Sequence, residues 1–255
     1  MDNGFLVLSK IGRIAVRWSR PIEGCPKTVT ISREADGWYV SFSCDDVPVQ
    51  PLPVTGQETG RDLGRDLGRE AVATLSDGTT LSDGTRILSP GWYRQAERAL
   101  KTAHRRVSRR KRGSNRRRTA VTLLARAHQK VRRQRRDFHH KTALALAREY
   151  DTISQEDLQP TNMMKNHHLA KSITDAGWGA FLIILAYKAA YAGRRRVAVT
   201  PAFTSQMGSG CGMLVSKGLS VRWRSCPDCG TSLHRDHNAA RNIERLGQSR
   251  RGAVA

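Results

Sequence analysis

Apolar and polar positions alternate along the first fifty residues. "FLVLS", "RIAVRW", "KTVTIS" and "GWYVSFSC" are short runs rich in β-branched and aromatic residues, divided by Gly, Pro and charged turns. A period of two over such short runs predicts half-buried strands, here a small sheet or partial barrel. "DDVPVQPLPVTGQETG" at 45–60 carries three prolines and reads as a linker. Strand-like runs separated by Ser-Asp-Gly turns resume over 60–88.

The period changes at residue 89. Ser89 as N-cap and Pro90 at the first helical position predict a helix start. The helical pattern runs to 149 and breaks at "KRGSN" (111–115), so two antiparallel helices around that turn are expected. "EYDTISQEDL" at 149–158 reads as a strand followed by acids. "HLAKSITDAGWGAFLIILAYKAAYAG" at 168–193 reads as one helix ended by Gly193, and "RRRVAVTPAF" at 194–203 as a strand. Helix and strand alternate through this part, which predicts an α/β class.

Charge adds a partner to this outline. The formal net charge is +22 over 255 residues. Residues 91–136 hold 18 Lys or Arg and one Glu, so i,i+4 pairing cannot neutralise the helices. A polyanion is the expected partner, and nucleic acid the commonest one. Arg105, Arg106, Arg109, Arg110, Lys111, Arg116, Arg117, Arg118, Arg132 and Arg133 are the candidate contacts. The longest apolar run, "AFLIILAYKAAYAG" at 180–193, is shorter than a bilayer span and carries Lys188. No membrane role is expected. The chain reads as intracellular, cytoplasmic and nucleoid-associated.

The odd count of five cysteines argues against a disulfide framework. Cys226-Pro-Asp-Cys229-Gly has the spacing of a zinc knuckle, and Cys211 lies where the second cysteine of an upstream pair is expected. The first member of that pair would be residue 208, which is glycine, leaving His234 or His237 as substitutes. The histidine pairs His139–His140 and His167–His168 read as phosphate-contacting or packing residues. Trp92 and Trp178 read as core, and Trp223 as a candidate stacking surface on the ribbon.

Residues 56–88 contain two tandem repeats. "GRDL" occurs at 60–63 and 64–67, and "TLSDGT" at 74–79 and 80–85. "DLGREAVATLSDG" (66–78) is followed by "ISQEDLQPTNMMKNHHLAKSITDAGWGAF" (153–181), then by "TSQ…CG…CPDCG…HRDHNAARNIERL" (204–246). This order resembles the TnpB family, also called OrfB, of bacterial insertion sequences, which is similar to the type V CRISPR effector nucleases. The likeness covers most of residues 1–247.

The resemblance implies an RNase H-like, RuvC-type nuclease domain with a helical-hairpin insertion and a zinc-ribbon insertion, preceded by a partial β-barrel. It implies cleavage of target DNA directed by a guide RNA from the transposon end, beside a short transposon-associated motif. It also implies three carboxylates for a two-magnesium site, with Zn2+ as a structural ion in the ribbon. Glu156 of "SQEDL" and Asp236 of "HRDHNAA" match the second and third. The spacing from "DLG" to "ATLSDG" favours Asp66 over Asp62 as the first, with Arg65 beside it. The divisions expected are 1–55 for a wedge-like nucleic-acid-binding segment and 56–203 for the nuclease core with a basic hairpin at 89–149. A ribbon over 204–233, a final helix over 234–247 and a basic tail over 248–255 follow. Compared with the family, the N-terminal part is short. The alternative expectation is therefore an impaired or truncated copy that only binds DNA or RNA.

Overall fold

The computed structural model describes residues 4–56, 58–62, 71–75, 86–88, 90–216, 221 and 223–252. The first strands form two separate hairpins. β1 (Phe5–Leu8) pairs with β2 (Gly12–Ala15), and β3 (Cys25–Arg33) pairs with β4 (Trp38–Asp45), each as its own two-stranded sheet. One continuous partial barrel is therefore not what the described residues form. Trp18 stacks on Phe42, with ring centroids 5.6 Å apart.

The central sheet is built from β5 (Glu58–Asp62), β6 (Ala71–Leu75), β7 (Arg86–Leu88), β8 (Thr152–Glu156) and β9 (Arg195–Val199), in the order β7–β6–β5–β8–β9. β5, β8 and β9 run parallel, while β6 is antiparallel to both of its neighbours. Every residue of β8 is buried, as expected of a parallel strand covered on both faces.

Between β7 and β8 the chain makes the expected helical hairpin, α1 (Trp92–Ser108) and α2 (Asn115–Glu149). Gly113 takes φ 82° in the turn, and the Ser114 hydroxyl caps α2 by accepting from Arg117 N at 3.2 Å. The start of α1 differs from the expectation. Its N-cap is Gly91 at φ 61°, which has no side chain to offer, and Ser89 lies outside the described residues. The cap comes from a distant residue. Asp175 accepts from Tyr93 N at 2.9 Å and Arg94 N at 3.3 Å.

After β8 come α3 (Pro160–Met163), α4 (His167–Ala176) and α5 (Trp178–Tyr191). The single helix expected over 168–193 is broken at Gly177, whose φ of 65° no helix continues through. A Cβ there would come within 2.8 Å of Arg135 Cδ on α2, so glycine also permits the close crossing. The stretch Ala170–Tyr191 is long and apolar enough by composition to cross a membrane. Here one side of it builds the core, while Ile183 and Tyr187 are exposed. Ile173, Trp178, Phe181 and Leu185 pack with Ala143, Leu146 and Ile153 on one face of the sheet.

The ribbon strands β10 (Trp223–Ser225) and β11 (Ser232–His234) lead into α6 (Arg235–Gly252). α6 covers the other face, where Ile243 packs with Val197 and Val199. Gly247 sets its approach, because a Cβ at that position would lie 1.9 Å from Ser154 Oγ. The result is a three-layer α/β arrangement, with α2, α4 and α5 on one side of the sheet and α6 on the other.

Candidate functional site

Strand alternation decides where Glu156 points. Ile153 belongs to the core under α5, and Ser154 meets Gly247 of α6. Glu156 lies two residues beyond Ser154, so it shares the α6 side. Its neighbour Asp157 is exposed. In register, Glu156 sits opposite Val199 of β9, which also faces α6. Glu156 is 5% exposed. Burying a carboxylate without compensation is expensive, so its partners matter. The Thr204 hydroxyl donates to Glu156 Oε1.

Asp236 stands in the first turn of α6, where the helix dipole favours a negative charge. It is 9% exposed. Its backbone N–H donates to His234 Nδ1 at 3.3 Å, and Arg235 Nε lies 3.4 Å from Oδ1. The helix begins at Arg235, one residue before Asp236, so Asp236 is inside the helix rather than its N-cap.

Sequence reading missed the residues that join these two carboxylates. Asn238 and Asn242 lie four apart on one face of α6 and are 2% and 1% exposed. Asn242 Nδ2 donates to Thr204 O at 2.8 Å and to Met207 O at 2.6 Å. Asn238 Nδ2 donates to Met207 O at 2.7 Å, and its Oδ1 accepts from Ser209 N at 2.8 Å. The loop 204–209 is thereby tied to the helix that carries Asp236, while Thr204 is tied to Glu156. Two asparagines at i and i+4 in "HNAARN" were the available signal, since buried amides in a helix must find partners.

The first carboxylate that the resemblance implies falls in the doubled segment. Asp66 lies outside the described residues. The backbone of Asp62 is described, at the end of β5, where it pairs with Thr74 of β6. Across the sheet Arg61 pairs with Gln155, so the next position in register with Glu156 is Asp62.

The cysteines converge as expected. The Sγ atoms of Cys211, Cys226 and Cys229 all lie within 4.8 Å of one another, with Cys211 and Cys226 3.4 Å apart. Neither His234 nor His237 joins this group among the described residues. The two knuckles are twins in backbone. Gly230 N donates to Cys226 O at 3.1 Å and Gly212 N to Gly208 O at 2.8 Å, with φ of 69° and 78° at the two donor glycines. Gly208 is thus the counterpart of Cys226. A Cβ at 208 would lie 3.3 Å from Cys211 Sγ and 3.9 Å from Cys226 Sγ, pointing into the cluster.

The thiols are polarised unequally. The Met213 amide favours the Cys211 thiolate, but the Cys226 and Cys229 sulfurs outweigh it and push its pKa up to about 11. The Thr231 hydroxyl and amide draw Cys229 down to about 7. Three soft donors at this spacing form a candidate metal site among the described residues.

The basic hairpin divides into two classes. Arg132 pairs with Glu34, and Arg133 pairs with Asp36 at 2.6 Å and donates to Tyr39 Oη at 2.7 Å, so both fasten α2 to the β3–β4 hairpin. Arg133 holds the Asp36 carboxyl far below the usual carboxylate range. Arg117 donates to the carbonyls of Val107 and Arg110 and closes the α1–α2 turn. Arg105, Arg106, Arg109, Arg110, Lys111, Arg116 and Arg118 are exposed, and none shows an ion pair among the described residues. Trp178 is core at 1% exposure, and Trp223 is 62% exposed on the ribbon beside His234. His139 is a packing residue, 1% exposed against Phe181.

Residues 43–167 match the OrfB_IS605 family, described as "Probable transposase". Residues 178–243 match the Cas12f1-like TNB domain family. A protein of Streptomyces pristinaespiralis named as an RNA-guided DNA endonuclease is 40% identical over 96% of the chain, which spans 60% of that relative. InsQ of Escherichia coli (strain K12), also named as an RNA-guided DNA endonuclease, is 31% identical over 97% of the chain, which spans 63% of it. The chain therefore spans about three fifths of the length of these relatives. In fold, it is similar to Cas12f1 in a complex with guide RNA and target DNA, at TM-score 0.53 and 17% identity over 85% of this chain and 55% of that one. A CRISPR-Cas12f ternary complex gives TM-score 0.56 and 19% identity, covering 85% of this chain and 44% of the other.

Proposed function

The chain belongs to the TnpB (OrfB) family of insertion-sequence proteins, and from that premise we propose that it hydrolyses DNA phosphodiesters with a divalent metal, directed to its target by a guide RNA from the transposon end. The observation that carries this reading is the placement of Glu156. It is a buried carboxylate at the end of a parallel central strand, facing the helix whose first turn holds Asp236.

Glu156, Asp236 and one aspartate of the doubled "GRDL", Asp62 or Asp66, are the proposed metal ligands. Carboxylate oxygens are the donors that hard cations such as Mg2+ take. A pair of such ions, when bound, supplies charge compensation at the scissile phosphate and an activated water. The chain's own share is orientation. Thr204 holds one oxygen of Glu156, and the asparagine clamp on α6 holds Thr204. Cys211, Cys226 and Cys229 are proposed as ligands of a structural Zn2+ that ties the ribbon together.

The exposed arginines of the α1–α2 turn, with Lys111, are proposed to contact the phosphate backbone of the guide or target. In the same reading, 1–55 is a wedge-like nucleic-acid-binding segment, 56–203 a RuvC-like core and 204–233 a ribbon. The core carries the hairpin 89–149, and 234–247 with the tail 248–255 completes the chain.

The test is cleavage by the 255-residue chain, purified with RNA from its own locus, on a matching duplex in Mg2+. Glu156→Gln and Asp236→Asn are expected to abolish cleavage and leave nucleic-acid binding within about twofold of wild type. Undiminished cleavage by either variant, or binding without cleavage by the wild type, overturns the nuclease reading.

A further inference from the structure

Gly60-Arg61-Asp62-Leu63 and Gly64-Arg65-Asp66-Leu67 are identical in sequence. A strand slip of four residues would exchange one copy for the other. Because four is even, every residue would keep its side of the sheet. Nothing inside the repeat distinguishes the two registers.

The hydrogen bonds just upstream do. Asp151, the residue before β8, accepts from Thr55 N at 2.9 Å and from Gly56 N at 2.6 Å. Thr55 Oγ1 donates to Glu149 O at 2.9 Å, and Leu52 N donates to Ala192 O at 3.1 Å. Arg194, 8% exposed, ties this strap from the other side. Its Nε donates to Ala147 O at 2.8 Å, its Nη2 to Pro53 O at 2.7 Å, and its Nη1 pairs with Asp151. Residues 52–56 are therefore fastened to the ends of α2 and α5 and to the start of β8.

One residue separates Gly56 from Glu58, and Glu58 pairs with Thr152, the residue after Asp151. The ladder then runs without a shift through Thr59–Ile153, Gly60–Ser154 and Arg61–Gln155, which sets Asp62 in register with Glu156. Presenting the second copy would insert four more residues, about 13 Å of extended chain, between a fastened Gly56 and the position opposite Thr152. We infer that the Asp151–Arg194 latch sets the register of β5 and so selects Asp62, not Asp66, as the carboxylate that joins Glu156. Asp151 and Arg194 are positioning residues in this arrangement. The chemical role of Asp62 rests on the nuclease reading, whereas the register does not.

Two measurements decide it. Residue-resolved amide hydrogen exchange on the wild type is expected to show slow exchange at 59–62, and Arg194→Met or Asp151→Ala to speed those amides at least about tenfold. Protection centred on 63–66 with free exchange at 59–62 overturns the register. In the second measurement, Asp62→Asn and Asp66→Asn are compared for Mn2+ binding by calorimetry and for Mg2+-dependent cleavage, with melting curves as a folding control. Asp62→Asn is expected to lose both, and Asp66→Asn to stay within about twofold. The reverse pattern, or equal loss in both variants, overturns the selection of Asp62. If the wild type neither binds Mn2+ nor cuts, the nuclease reading fails while hydrogen exchange still decides the register.

Discussion

Thr204 bridges the two halves of the candidate site, donating its hydroxyl to Glu156 while its carbonyl accepts from Asn242 at 2.8 Å. A carboxylate that must meet a metal gains from being oriented beforehand. Thr204→Val keeps the shape and deletes the donor. We expect cleavage to fall about tenfold, or about 1.4 kcal/mol in the barrier, and the melting temperature to fall modestly, because the buried Glu156 carboxylate loses a donor. Asn242→Leu should lower both, because it also leaves the Thr204 carbonyl without this donor and removes one of the two amide donors to Met207 O. Single-turnover rates beside thermal melts separate the two effects.

Asp175 carries an unusual load for one side chain. It caps α1 from another helix and also lies 3.3 Å from Arg135 Nη2. Asp175→Ala removes the cap and leaves Arg135, itself mostly buried, without its carboxylate. Cap loss and breaking a buried pair together predict a destabilisation of about 3 kcal/mol, read from the midpoint of urea unfolding. Asp175→Asn, which retains an acceptor, should cost less than half of that.

Among the described residues, the cysteine cluster has three donors, and glycine stands at 208, where the twin knuckle carries a cysteine. Gly208→Cys would place a fourth sulfur there, since the Cβ direction already points at Cys211 and Cys226. Zinc retention against a competing chelator should rise by at least about an order of magnitude. The Co2+-substituted variant should show the visible spectrum of a four-thiolate site. Unchanged zinc affinity would mean that the knuckle formed by Gly208 and Cys211 does not face the ion.

Acid should destabilise the protein through His139. Burial pushes its pKa below the ordinary value of 6.5, and the charged Arg135 nearby adds to this, although the bond to Ala176 O opposes it. Because the carbonyl can only accept, Nε2 carries the proton in the neutral ring. A depressed folded pKa means that the unfolded chain takes up a proton that the native one refuses. Stability is therefore level above about pH 6.5 and falls below it, by up to about 1.4 kcal/mol per pH unit, until the native ring protonates. Unfolding free energies from pH 7.5 to 5 test this. His139→Gln, which keeps an N–H donor, should flatten the dependence.

The two classes of arginine should separate by salt. Replacing Arg105, Arg106, Arg109 and Arg110 with Ala should weaken nucleic-acid binding. The slope of log K against log salt should shrink by about one for each phosphate that is no longer neutralised. Arg133→Ala should instead loosen the β3–β4 hairpin, which it holds through Asp36 and Tyr39, and raise hydrogen exchange there. Equal salt slopes for the two sets would remove the distinction.

Much of this protein is written locally. The helical hairpin, the turn at Gly113 and Ser114 and the cysteine knuckle follow from residue period, turn chemistry and spacing, which act over a few neighbours, whereas the candidacy of Glu156 and Asp236 comes from the family resemblance. What lies beyond that reach was decided by the tertiary structure. The cap of α1 comes from Asp175 some eighty positions away in sequence, so no reading of the "SPGW" stretch contains it. The break at Gly177 combines glycine's access to a left-handed φ with a close crossing by α2 that the local sequence does not show. The doubled "GRDLGRDL" shows the division most plainly. Its two aspartates are alike in sequence, and counting toward "ATLSDG" favours the second. In the inferred register, the ladder with β8, anchored by Asp151 and Arg194, runs to Arg61–Gln155 and makes the backbone of the first the next position opposite Glu156. Strand register is a property of the partner strand and of where the chain is fastened, and neither is present in the repeat itself.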